Sequence, residues 1–177
     1  MPDWTEGYVA DVEYTHGYYG ELNPLKATLP FLIAGLTPTR VKNACELGFG
    51  QGISVNIHAA ASNVTWWGTD FNPSQVQAAR QLANASRADL RLFDDAFEDF
   101  VHRPDLPDFD FIALHGIWSW ISESNRQLLA EFIKRKLAIG GTLYVSYNTL
   151  PGWSSFAPVR HLMTQHAEIM SAAGTGI

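Results

Sequence analysis

Apolar residues fall along this chain in short runs that alternate with longer stretches of helical period. Val41–Leu47, Asn63–Asp70, Leu90–Phe93, Phe109–Leu114 and Thr142–Tyr147 are too short to be helices and rich in Val, Leu, Phe, Trp and Tyr, which predicts five strands. Phe109–Leu114, broken only by Asp110, reads as a strand covered on both faces. Between the strands the period lengthens. Ile53–Ser62 predicts a helix, as does the face of Val76, Ala79, Leu82 and Ala83, and Ala96–His102 predicts a helical turn. Leu128, Leu129, Phe132, Ile133 and Leu137 mark a long helix capped by Ser122 or Ser124, closed by Lys134–Lys136 and stopped by Gly140-Gly141. Pro158 opens a last helix through Val159, Leu162, Met163, His166, Ile169 and Met170. Asn23-Pro24 and Asn72-Pro73 each place a capping side chain before a proline at the first helical position. The helix after Pro24 carries Leu25, Leu29, Leu32, Ile33 and Leu36, with Pro30 kinking it. Residues 1–22, tyrosine-rich and without period, predict an extended arm or a lid.

The strand–helix alternation repeats five times behind the N-terminal helix. That pattern predicts an α/β fold with a parallel, doubly wound sheet and right-handed crossovers. With no repeats and no linker, residues 1–177 are expected to form one domain: arm and helix over 1–40, core over 41–170.

Ligands of such sheets sit at the carboxyl ends of the strands, where the strand order reverses. The first strand delivers Glu46-Leu47-Gly48-Phe49-Gly50-Gln51-Gly52, a glycine turn into a helix. Glycines there are expected to let backbone N–H groups approach a ligand, with the helix N-terminus adding positive charge. The spacing is not the G-x-G-x-x-G of dinucleotide sites, and an acid leads it. Glu46 is placed to hold a ligand ammonium group. The second strand delivers Asp70 and Phe71, the acid at the distance where a carboxylate accepts ribose hydroxyls. The third delivers Asp94-Asp95-Ala96-Phe97, with Asp95 preferred over Asp94 for an adenine amino group. The fourth delivers His115, Trp118 and Trp120; the fifth delivers Tyr147 and, after a turn, Trp153. His115 is the candidate general base, with Tyr147 beside it as a catalytic candidate. Ser119 and Ser146 have no base at readable spacing, and His58 reads as structural or surface. No His, Cys, Asp and Glu cluster has metal-ligand spacing.

Composition narrows the partners. The net charge of −6 and the lack of a basic run argue against a nucleic-acid substrate. The lone cysteine, Cys45, sits in the apolar first strand and reads as a buried thiol in a reducing compartment. No leader-like N-terminus and no membrane-length apolar run are present, so a cytoplasmic location without membrane contact is expected. Aromatic residues, 12% of the chain, concentrate at the strand ends, where they suit a dry pocket for a cation.

Taken together, "ELGFGQG", "GTDFNP", "FDDAF", "LHGIWSWIS" and "VSYNTLPGW" resemble class I S-adenosylmethionine (SAM)-dependent methyltransferases. More narrowly, they are similar to the methyltransferase domain linked to a methyltransferase regulatory domain, as in the rickettsial-type protein lysine methyltransferases. The resemblance implies a Rossmann-like sheet of order 3-2-1-4-5 and SAM as cofactor. It carries Glu46, Gly48, Gly50, Asp70 and Asp95 over as SAM-binding positions, with the tyrosine-rich arm closing over the cofactor; Phe49, Phe71, Ala96, His115 and Tyr19 are the further cofactor-binding candidates beside them. The C-terminal antiparallel strand pair of that class has no counterpart here. A second copy of the chain, or a regulatory region that follows in relatives, is then expected to cover the open sheet edge. The methyl acceptor is read as a protein lysine. A small-molecule acceptor, a SAM-binding module without its own catalysis and an NAD-dependent oxidoreductase are the alternatives.

Overall fold

A computed structural model of the chain describes residues 16–170; Tyr14 of the predicted arm lies outside them. After a 3-10 turn at Gly20–Leu22 come helix α1 (Pro24–Ile33), strand β1 (Asn43–Leu47), α2 (Ile53–Ala60), β2 (Thr65–Thr69), α3 (Pro73–Ser86), β3 (Leu90–Phe93) and α4 (Phe97–Val101). Strand β4 (Phe109–Leu114), α5 (Glu123–Lys136), β5 (Leu137–Val145) and α6 (Ala157–Met170) complete the order. The five strands form one parallel sheet, β3-β2-β1-β4-β5, as expected for the Rossmann-like fold. The chain divides into a larger unit ending at Ser146 and a smaller one starting at Tyr147 that holds α6.

Each face of the sheet has its own apolar layer, because successive residues of a strand point to opposite sides. Cys45, Leu47, Trp67, Ile112 and Leu114 pack with Phe97 and Phe100 of α4 and Leu129 and Phe132 of α5. Ala44, Trp66, Phe111 and Ala113 pack with Val55 and Ala59 of α2 and Val76 and Ala79 of α3. The layers fix the sheet register that aligns the strand ends below.

Asn23 accepts from the Leu25 N–H at 3.0 Å and Asn72 from the Ser74 N–H at 3.1 Å, as cap-then-proline predicts. Ser122, not Ser124, caps α5, its hydroxyl accepting from the Asn125 N–H at 3.2 Å. Two expectations are corrected. Gly140-Gly141 does not stop a helix: α5 ends at Lys136 and β5 begins at once, earlier than the predicted Thr142. Phe109 pairs with Leu137 but Phe111 with Thr142, so the intervening residues bulge, and Gly140 takes the left-handed φ of +80° that such a bulge needs. Strand β5 also ends at Val145 rather than Tyr147, although the Ser146 N–H still bonds the Leu114 carbonyl at 3.0 Å. Helix α1 forms where the pattern predicts a helix; it buries no residue, and Leu25, Leu29, Leu32 and Ile33 are all exposed.

Candidate functional site

Register sets the site. Phe93, Thr69, Leu47, Leu114 and Val145 stand side by side across β3-β2-β1-β4-β5. The next residue in each strand, Asp94, Asp70, Gly48, His115 and Ser146, therefore lines one carboxyl edge.

The glycine turn is built differently from the expectation. Gly48, Gly50 and Gly52 all have left-handed φ, +72°, +56° and +70°, which side-chain-bearing residues rarely adopt. Their N–H groups, however, are engaged inside the protein rather than left for a ligand. Gly48 donates to the Thr69 carbonyl at 2.9 Å, Gly50 to Asp70 Oδ2 at 2.8 Å and Gly52 to the Phe49 carbonyl at 3.0 Å. A Cβ at Gly52 would lie 2.4 Å from the Ala79 methyl, so this glycine serves the packing of α2 on α3. The ring of Phe49 lies close to Gly52 and Gly68 and is buried in the same layer.

Two acids meet where β1 and β2 end. Glu46 is 3% exposed, and its Oε2 has no hydrogen-bond partner among the described residues. Burial, reinforced by the nearby Asp70, pushes its pKa from the ordinary 4.5 to about 8. Asp70 is raised from 3.8 to about 6 by burial, while the N–H bonds from Asn72 and Gly50 pull it back down. Those bonds, 3.0 Å to Oδ1 and 2.8 Å to Oδ2, tie the glycine turn to the end of β2.

Glu46 lines a solvent-open cleft of ≈ 290 Å³ with Tyr19, Gly48, Gln51, Ser54 and His115. Tyr19 is held over it from two sides by α2. Its N–H donates to Ser54 Oγ at 2.8 Å, and its carbonyl lies 3.3 Å from His58 Nε2. The rings of Tyr19 and His115 lie 4.2 Å apart. Burial lowers the His115 pKa below its ordinary value, opposed by the charge of Glu21. The fold thus closes an orphaned carboxyl group, a histidine and an aromatic ring around one cleft at the strand switch point.

Residues 44–141 match the family described as "Methyltransferase domain". The chain belongs to that family. An uncharacterized protein of Synechocystis is 46% identical over 168 residues, covering 92% of this chain and 33% of its own length. An uncharacterized protein of Rickettsia prowazekii is 27% identical over 168 residues, covering 89% of this chain and 29% of its own. This methyltransferase domain thus spans about a third of the length of these relatives. Among solved structures, PKMT2 from Rickettsia typhi in complex with AdoHcy superimposes with a TM-score of 0.74 at 23% identity, over 90% of this chain and 31% of that one. A TehB-like SAM-dependent methyltransferase from Corynebacterium glutamicum gives 0.57 at 21%, over 83% and 73%. At these identities the structures establish the fold. Family membership makes SAM the implied cofactor.

The residues present fit that group. SAM carries an ammonium at its amino-acid end, and the cleft of the methyltransferase domain holds a buried carboxyl oxygen lacking a partner. Three other buried side-chain atoms are unpartnered among the described residues, Asn56 Oδ1 and the indole nitrogens of Trp66 and Trp67, but none of these residues lines the cleft.

The remaining predicted positions do not line the cleft. Asp95 is bonded by Arg103 at 3.0 Å, and its carbonyl accepts from Thr69 Oγ1 at 2.5 Å. Asp94 pairs with Arg80 at 3.0 Å. Ala96 is the N-cap of α4, and Phe71 is partly buried after Asp70. Tyr147 opens the smaller unit and is exposed. The hydroxyl that reaches His115 within the larger unit is that of Ser146, whose Oγ lies 3.2 Å from His115 Nδ1. Ser54, His58 and Ser146 were not legible as site residues. Their partners come from other elements, and only the register or a crossing brings them together. Among the described residues no group of three His, Cys, Asp or Glu side chains could hold a metal ion, and no helix is long and apolar enough to cross a membrane.

Proposed function

We propose that this chain binds SAM in the cleft beside Glu46 and transfers its methyl group to an amine, the side chain of a protein lysine. The observation that carries the reading is the buried, unpartnered Glu46 Oε2 in the cleft of a methyltransferase-family fold. The motif resemblance and the likeness to rickettsial PKMT2 support a lysine acceptor.

SAM supplies the methyl group and the sulfonium from which it departs. Glu46 would hold the ammonium end, Asp70 the ribose hydroxyls through the lone pairs its N–H bonds leave free, and Asp95 the adenine side. A lysine amine attacks only when neutral, against a reference pKa of about 10.4. The aromatic wall of Tyr19 and its neighbours disfavours the ammonium form and lowers that value. His115, kept neutral at pH 7 by burial, takes the proton: the amine N–H bond breaks, an N–H bond forms on the imidazole, and the electron pair stays on the amine nitrogen. With the acidic charge balance, a cytoplasmic protein acceptor rather than nucleic acid is the proposed partner.

Incubation with methyl-labelled SAM and a mixture of unmodified proteins, followed by hydrolysis to amino acids, tests the acceptor. Methyl-lysine is expected. Label found only in small molecules would overturn the lysine reading while leaving the methyltransferase reading intact.

A further inference from the structure

Tyr19 reaches the cleft from the segment before α1, and two side chains of α2 hold its backbone. Gly52 sets where α2 starts, so Ser54 and His58, one helical turn apart, share a face of the helix. The neighbouring face, with Val55 and Ala59, packs in the apolar layer over the sheet. Ser54 and His58 meet the incoming segment instead, and both are buried.

Their bonds fall on the two polar backbone groups of one residue. The Tyr19 N–H donates to Ser54 Oγ at 2.8 Å. Its carbonyl accepts from the Leu22 N–H at 3.1 Å and lies 3.3 Å from His58 Nε2. A carbonyl only accepts, so Nε2 carries the proton in this contact, which is the longer and weaker of the two side-chain bonds. The His58 ring is itself fixed, stacked on Trp66 at 5.6 Å and with the Tyr18 ring 5.4 Å away. Leu22, fully buried, pins the chain three residues on. These contacts place the Tyr19 ring 4.2 Å from that of His115, at the cleft that Tyr19 and Ser54 both line. A wall held only by water would have to be ordered each time a ligand binds, at a cost in affinity; a wall fixed during folding avoids that cost.

We propose that Ser54 and His58 are positioning residues that hold Tyr19 over the cleft before the cofactor arrives. The inference rests on the SAM reading of the cleft and goes beyond it, because it assigns these two residues to building the site rather than to methyl transfer itself.

Amide hydrogen exchange of the free protein tests the hold without cofactor. The Tyr19 amide should be protected in the wild type and should exchange about tenfold faster or more in Ser54→Ala. The Trp66 amide, bonded to the Asp89 carbonyl, should keep its protection. An unchanged Tyr19 amide would overturn the proposal. So would equal loss at Trp66, which would make Ser54 a support of the whole fold. Titration with S-adenosylhomocysteine tests what the hold is for. His58 does not line the cleft, so a change there reaches the ligand through Tyr19. His58→Phe keeps a ring on Trp66 but cannot donate, and it should weaken binding about 2–10-fold, mainly through faster dissociation. His58→Gln, which again offers an N–H, should recover part of the loss. Unchanged or tighter binding by His58→Phe would sink the idea. No binding by the wild type would instead remove the SAM reading, and the exchange result would then decide the hold by itself.

Discussion

Glu46 combines a position readable from the sequence with a chemistry that is not. An acid leading a glycine turn can be seen in the chain, but its protonation depends on complete burial and on Asp70 arriving from the next strand. The folded carboxyl holds its proton up to about pH 8, whereas the unfolded one loses it near 4.5. Between those values the folded state binds more protons, so stability falls as pH rises; Asp70 adds the same trend between 3.8 and about 6. Chemical denaturation of the free protein at successive pH values should show this decline, on the order of a few kcal/mol in all. Glu46→Gln, which has no proton to lose, should flatten its upper part. A ligand ammonium reverses the preference, because it favours the carboxylate. Binding at neutral pH should therefore release a proton, seen as a dependence of the binding heat on the buffer's ionisation enthalpy. A binding heat independent of the buffer would contradict the placement of the ammonium on Glu46. The glycine N–H groups show the opposite failure of legibility. Their sequence suggests donors for a ligand, and only the fold reveals that Thr69, Asp70 and Phe49 already use them.

At the scale of elements, α2 and its glycine entry are set by packing on α3. Gly52 combines a φ of +70° with a methyl-sized gap filled by Ala79. Gly52→Ala should destabilise the protein by about 2–4 kcal/mol, from strain and overpacking together. Adding Ala79→Gly should return the overpacking part and leave the backbone part, which a double-mutant cycle in urea would separate. Full recovery would show that the left-handed backbone costs nothing. The strands and α2, α3 and α5 were legible because their apolar periods agree with the layers that cover them. Strand β5 was misplaced because Gly140-Gly141 has the form of a helix stop. On an edge strand the same pair serves as a bulge, and the sequence contains no sign of which neighbour the strand has. Helix α1 was legible as a helix, but its apolar stripe does not predict its exposure.

For the molecule as a whole, the sheet order and the switch point between β1 and β4 follow from the alternation of strands and helices, and the cleft follows from them. What sequence order hides is proximity across the sheet: Ser146 stands beside His115 through the β4–β5 register although 31 residues separate them. The chain spans about a third of its Synechocystis relative's length. A second reading follows, in which this domain holds the cofactor and the acceptor is bound by further sequence. It predicts that a full-length relative methylates protein lysine while this chain binds cofactor with little turnover. Equal turnover by the two would remove it. Both readings share one requirement, that the cleft takes the cofactor through Glu46. Calorimetric titration with S-adenosylhomocysteine tests this most directly. The wild type should bind, and Glu46→Gln should bind about 10–100-fold more weakly, the loss expected for a charge-assisted hydrogen bond. No binding by the wild type, or equal binding by the Gln variant, would contradict the account.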